Sequence, residues 1–236
     1  MIEQKLNTVD GKLLVKIPTQ INELTLGQLM AMQDKPYLSD LDAISILSGV
    51  PVSELNNVKD VDDLQIFNEV IFALSQQIKS LYETEVIPKT VTFYIDKNPV
   101  AVNVINNLSV EPAGAFMAAR DIIADEISEH IKKHGEDNWQ ASFNPSLKAC
   151  SQILGQYFYC KVTGKKYDEY EVEKFIETTK QLSVTEALPM ARYFFYNYPG
   201  SLRRKPGFFK LLLLLWRKRQ AYKHLKNLNI SIPLTP

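Results

Sequence analysis

Apolar positions along this chain alternate with a period of two in short stretches and recur at helical spacing in longer ones. Residues 12–18 alternate and end on Pro18, the pattern of a short strand. Residues 89–95 and 100–105 are β-branched and aromatic runs on either side of Asp96-Lys-Asn-Pro99, which predicts a hairpin. From residue 60, Val61, Leu64, Phe67, Val70, Ile71, Leu74, Ile78 and Leu81 fall on one face of a helix. Residues 145–162 (Leu147, Ile153, Leu154 and Phe158 on one side) and 167–180, with an acidic face, read as two more helices.

Helix starts carry a recurrent device. Thr25 is placed as an N-cap, with Gln28 to close a capping box and Leu24 to staple onto Leu29, for a helix over 25–33. Ser183, with Glu186 and the preceding Leu182, repeats the device for a helix that Pro199-Gly200 should break. Ser39 opens a helix that Gly49 stops, and Pro51 opens a single turn over 51–55. Ser109 is placed to cap a long helix, with Pro112 in its first turn, that runs to His134 and stops at Gly135. Ile105-Asn-Asn-Leu-Ser-Val110 repeats Ile21-Asn-Glu-Leu-Thr-Leu26 at a distance of 84 residues, through an old internal duplication or because a good N-cap arose twice. A last helix over 208–228 and an extended end complete the chain. The fold class is therefore mainly α with a minor β component: bundle-like helical units, a β-hairpin and a basic, apolar C-terminal helix. The expected divisions are 1–87, a helical unit with a short strand; 88–199, the hairpin with a second helical unit; and 200–236, the basic helix and tail.

Composition adds a charge split. At 236 residues and 45% hydrophobic, the chain has material for a sizeable core. Its net charge is zero, yet residues 187–236 hold ten Lys/Arg and no Asp/Glu, against seventeen and twenty-seven in residues 1–186. An acidic body thus precedes a basic tail. Cys150 and Cys160 stand ten residues apart on one predicted helix, about 15 Å at 1.5 Å per residue, so they read as buried free thiols of a cytosolic product. Residues 1–7 carry no apolar signal core, and the longest apolar run, 211–216, is far shorter than the roughly 20 residues of a membrane span.

Candidate chemistry is sparse. His130 and His134 have the i, i+4 spacing that can clamp a metal, but no glutamate follows the first and no third ligand is evident. Asp121, Asp125, Glu126 and Glu129 alternate with isoleucines and read as a solvated helix face. Gly164-Lys-Lys166 lacks the upstream glycine of a phosphate-binding loop, and no nucleophile motif is present. The chain reads as non-enzymatic, with no catalytic, cofactor or metal residue assigned. The strongest anomaly is the C-terminal segment, where Phe208, Phe209, Leu211, Leu212, Leu215 and Trp216 are followed by Arg217 and Arg219. A helix apolar nearly all round is normally buried on several sides, so these eight residues are the expected partner-binding set, packing either in cis or into a neighbour. Membrane-surface binding is the further alternative, since Arg217-Lys-Arg219 with Trp216 suits an acidic bilayer, whereas nucleic-acid binding is permitted by the charges and supported by no motif.

The stretches Leu24-Thr-Leu-Gly-Gln-Leu29, Asp42-Ala-Ile-Ser-Ile-Leu-Ser-Gly49 and Val52-Ser-Glu-Leu55, followed by the 63–74 helix, resemble morphogenesis proteins of tailed phages. These include tail assembly chaperones and virion proteins of the crAss-like phages of Bacteroidetes. Tyr167-Asp-Glu-Tyr-Glu-Val-Glu-Lys174, Leu182-Ser-Val-Thr-Glu-Ala-Leu188 and Tyr193-Phe-Phe195 are similar to the second half of such proteins. The resemblance implies a structural protein of the particle, made in the host cytoplasm and located in the virion. It would form a ring at the head–tail connector or in the tail, as a homo-oligomer touching portal, neck or tail subunits. A tail assembly chaperone or a packaged cargo protein is the alternative.

Overall fold

The computed structural model describes residues 1–60, 62–81, 86–104, 112–135, 139 and 143–201. The chain is mainly α-helical with two small antiparallel two-stranded sheets. Met1–Phe195 form one compact unit and Tyr196–Pro236 a second. The expected division near residue 87 therefore runs through a single unit, because segments from both sides of it are hydrogen-bonded together, as shown below.

The first sheet joins β1 (Ile2–Thr8) to β2 (Gly11–Ile17), with Ile2 opposite Ile17 and Thr8 opposite Gly11. The alternation in β2 predicts its strand; β1, with its weaker Ile2, Gln4, Leu6 pattern, went unpredicted. Leu6, Val15 and Ile17 are fully buried beneath it. α1 (Leu26–Gln33), α2 (Asp40–Ser48), the single turn α3 (Val52–Leu55) and α4 (Gln65–Leu81) follow. Thr25 caps α1 and Ser39 caps α2, each with a complete capping box, and Gly49 ends α2 in the left-handed conformation. Pro51 sits at the cap of α3 rather than inside its first turn. The predicted face of α4 is buried at Phe67, Leu74 and Leu81, and Leu64 is buried in the short 3-10 turn before it.

β3 (Thr90–Ile95) and β4 (Asn98–Asn103) form the second hairpin. Its turn is Asp96-Lys97 alone, both at positive φ (49° and 68°), so Asn98 and Pro99 belong to β4 rather than to the turn. α5 (Ala113–His134) has Pro112 at its N-cap; Ser109, the expected cap, lies outside the described residues, as does the second copy of the repeated hexapeptide.

α6 (Leu147–Thr163), capped by Ser146 and stopped by left-handed Gly164, is the centre of the unit. The pattern predicts one apolar side, but the helix is buried on nearly all of them, including Ser151 and Gln156. α5 and α7 (Glu169–Thr179) pack along it, and the second hairpin lies against α6 and α7. Phe93 joins these layers, its ring 4.9 Å from Phe158 and 5.7 Å from Phe175.

α8 (Val184–Ser201) runs through Pro199-Gly200, where a break is expected. Both residues fall in its last turn, so the missing proline N–H forfeits only one intrahelical bond, to the Phe195 carbonyl. Ser183 opens the helix as predicted, but its hydroxyl serves Thr185, accepting from the amide at 3.3 Å and meeting the hydroxyl at 2.8 Å. The starts of α1 and α8 lie side by side: Leu26 N–H donates to the Leu182 carbonyl at 2.8 Å and Val184 N–H to the Leu24 carbonyl at 2.9 Å.

Candidate functional site

The expected partner-binding residues, Phe208, Phe209, Leu211, Leu212, Leu215, Trp216, Arg217 and Arg219, lie outside the described residues. The body in front of them offers three groups of functional side chains.

The first is the end of α5. His130 and His134 share a helix face and their rings stack on each other, with centroids 4.6 Å apart. His130 also meets Phe143 edge-on at 5.3 Å, and Phe143 continues to Trp139 and Phe195. The helix thus brings the pair together as the i, i+4 spacing predicts, and aromatic rings pack against it. Among the described residues, no group of three or more His, Cys, Asp or Glu comes close enough to hold a metal ion.

The acidic residues of α5 do not act as one set. Asp121 and Glu129 are exposed, and Asp121 pairs with its neighbour Arg120 at 2.8 Å. Glu126 turns the other way and accepts the Ser146 N–H at 2.6 Å, which ties α5 to the start of α6. That structural role has no signal in the sequence, because it depends on where α6 begins in space. Gly164 is a helix stop, and Lys165 and Lys166 after it are exposed. Cys150 and Cys160 are both free, as expected from their separation. Only Cys150 is buried; Cys160, one helix side away, is partly exposed, which corrects the expectation that both are enclosed. Burial, reinforced by the charge of Glu126, pushes the Cys150 thiol up to about 12, which excludes it as a thiolate nucleophile.

The third group is the outer face of α7. Asp168 caps the helix through the amides of Tyr170 and Glu171, while Val172, Phe175 and Thr179 face inward. Outward stand Glu169, Glu173 and Glu177 in a row along the helix, with Tyr170, 79% exposed, in its first turn. Lys174 bonds Glu171 and Lys180 bonds Glu177, each at 2.6 Å. The face remains acidic after these pairs, and Tyr170 at its N-terminal end offers an aromatic ring that suits a guanidinium or ammonium.

Among the described residues no helix is long and apolar enough to cross a membrane. No family model matches the chain, and no curated protein or solved structure does either.

Proposed function

We propose that this chain is a non-enzymatic structural subunit of a tailed-phage particle, a ring former at the head–tail connector or in the tail that works through protein contacts. The observation that carries the reading is the separation of charge along the chain: all twenty-seven acidic residues precede residue 187, and ten basic residues with no acidic one follow. The outward acidic face of α7 lies in the first unit, and the basic residues after Arg192 lie in the second. In a ring, the basic segment of one copy meets the acidic body of the next, a head-to-tail contact that closes by rotation. Resemblance to phage morphogenesis proteins supports the setting.

Light scattering of the purified chain at low and high salt tests the reading. A ring-sized mass that falls as salt rises is expected, since exposed charge pairs are screened within about 10 Å at 0.1 M. A monomer at both salts overturns self-assembly through charge. Mass spectrometry of purified particles then separates a virion component from an assembly chaperone, which finished particles lack.

A further inference from the structure

Two-stranded sheets leave unpaired backbone groups along both strands, and proteins usually blunt such edges. In the first hairpin the Asn7 carbonyl accepts the Lys59 N–H at 2.9 Å from outside the sheet, and Val9 N–H donates to Asn57 at 3.0 Å. By alternation, Glu3 and Lys5 on β1, and Lys12, Leu14 and Lys16 on β2, direct their backbone groups outward. Charged residues and a covering loop thus guard both edges.

The second hairpin is guarded on one side alone. Val104 N–H donates to the Lys89 carbonyl at 2.9 Å, so the bonded pairs are Val91 with Val102, Phe93 with Val100 and Ile95 with Asn98. Outward-directed groups then belong to Thr90, Thr92 and Tyr94 on β3, and to Pro99, Ala101 and Asn103 on β4. Pro99 removes a donor from the edge of β4, the usual place for proline in a sheet. β3 carries no such device. Its three outward residues are exposed, uncharged and favourable to strands, Tyr94 is 58% exposed, and the amides of Thr92 and Tyr94 meet no acceptor among the described residues.

We infer that β3 pairs antiparallel with β3 of a second copy, about a two-fold axis at Thr92, to give a continuous four-stranded sheet. The occupant follows from the edges just described: those of β1 and β2 are charged and that of β4 lacks a donor, so β3 is the strand whose edge matches. Charge and strand length set the register. With Thr92 opposite itself, Lys89 faces Ile95, Asp96 faces Pro88 and Lys97 faces Ile87 of the second copy; a slip of two residues one way opposes Lys89 to Lys97, and the other way leaves only residues 90–92 of the strand paired. The contact is isologous, and so differs from the head-to-tail contact of a ring. It rests on the hairpin alone and stands or falls independently of the proposed function.

Disulfide trapping in the full chain tests it. Directly opposed residues of a bonded antiparallel pair have Cα atoms about 5.5 Å apart, within disulfide reach. Under oxidised glutathione, Thr92→Cys should run as a reducible dimer on a gel, while Asn103→Cys, as exposed but on the guarded strand, and the unsubstituted chain should remain at monomer mass. No Thr92→Cys dimer, or equal cross-linking of the two variants, overturns the inference. Hydrogen exchange of the unsubstituted chain gives a second reading. The Thr92 and Tyr94 amides should exchange more slowly as concentration rises, those of Ala101 and Asn103 unchanged; exchange independent of concentration at all four also overturns it.

Discussion

Thr25 and Ser183, the N-cap residues of α1 and α8, face each other across an antiparallel bridge. Each helix start satisfies the other: the first amide of α1 bonds the Leu182 carbonyl and the first amide of α8 bonds the Leu24 carbonyl. Those amides are orphans in any isolated helix. Leu24-Thr25-Leu26 and Leu182-Ser183-Val184 have the same residue pattern, and the structure pairs them about a local two-fold.

Substitutions at this junction should divide by mechanism. Thr25→Ala loses the acceptor of the Gln28 amide and should cost about 1 kcal/mol. Gln28→Ala should cost more, because Gln28 both closes the box and donates to the Leu47 carbonyl at the end of α2. Gly27→Ala should also destabilise, although helix propensity alone favours Ala by about 1 kcal/mol. A Cβ there would stand 3.1 Å from Lys180 Cβ and 3.2 Å from its carbonyl oxygen. Urea midpoints of the three variants check the order.

Gly155 of α6 packs against Ile176 of α7. A Cβ at this position would lie 2.7 Å from Ile176 Cγ1, and a β-branched side chain has little freedom to move aside. Gly155→Ala should lower stability by about 1–3 kcal/mol, and Ile176→Ala introduced with it should recover part of the loss. A double-mutant cycle by denaturant unfolding measures the coupling; additive losses would show that the contact does not limit the packing.

The N-terminal ammonium, 2.7 Å from both oxygens of Glu23, holds that carboxyl down from 4.5 to about 2, helped by the Thr19 and Gln20 amides. A lowered folded-state pKa contributes stability that is present above the ordinary carboxylate range and lost as pH falls from about 4.5 through 2. Glu23→Gln should therefore reduce stability at neutral pH and flatten its decline across that window, as read by thermal unfolding at a series of pH values.

The two thiols should react in sequence. In the native chain at pH 8, iodoacetamide should label Cys160 and spare Cys150, whose burial keeps it protonated and enclosed. Both should label in urea, and peptide mass spectrometry distinguishes the sites. Native labelling of Cys150 would show that α6 opens.

Much of the local chemistry was legible in the sequence, although the helix break expected at Pro199-Gly200 does not occur. The box of Thr25, the cap at Ser39, the stops at Gly49, Gly135 and Gly164 and the hairpin at Asp96 are interactions between near neighbours, so residue type and spacing determine them. The amphipathic face of α4 was likewise readable, since one buried side leaves a clear period. α6 shows the limit of such periodicity. Its period marks one apolar side through Leu147, Ile153, Leu154 and Phe158, yet Ser151, Gln156, Tyr157 and Tyr159 are enclosed as well because α5, α7 and the second hairpin pack around the helix.

Only the tertiary structure decided which ends meet. Glu126 reads as one carboxylate among four until α5 and α6 are set side by side, and Thr25 and Ser183 are 158 residues apart until their backbones bond. The strand of β3 was visible in its residues, but its open edge was not: which amides point outward depends on the register that Val104 and Lys89 fix. Sequence patterns record the period of burial within one element, whereas partner, register and edge arise from backbone pairing between elements, which no local period encodes.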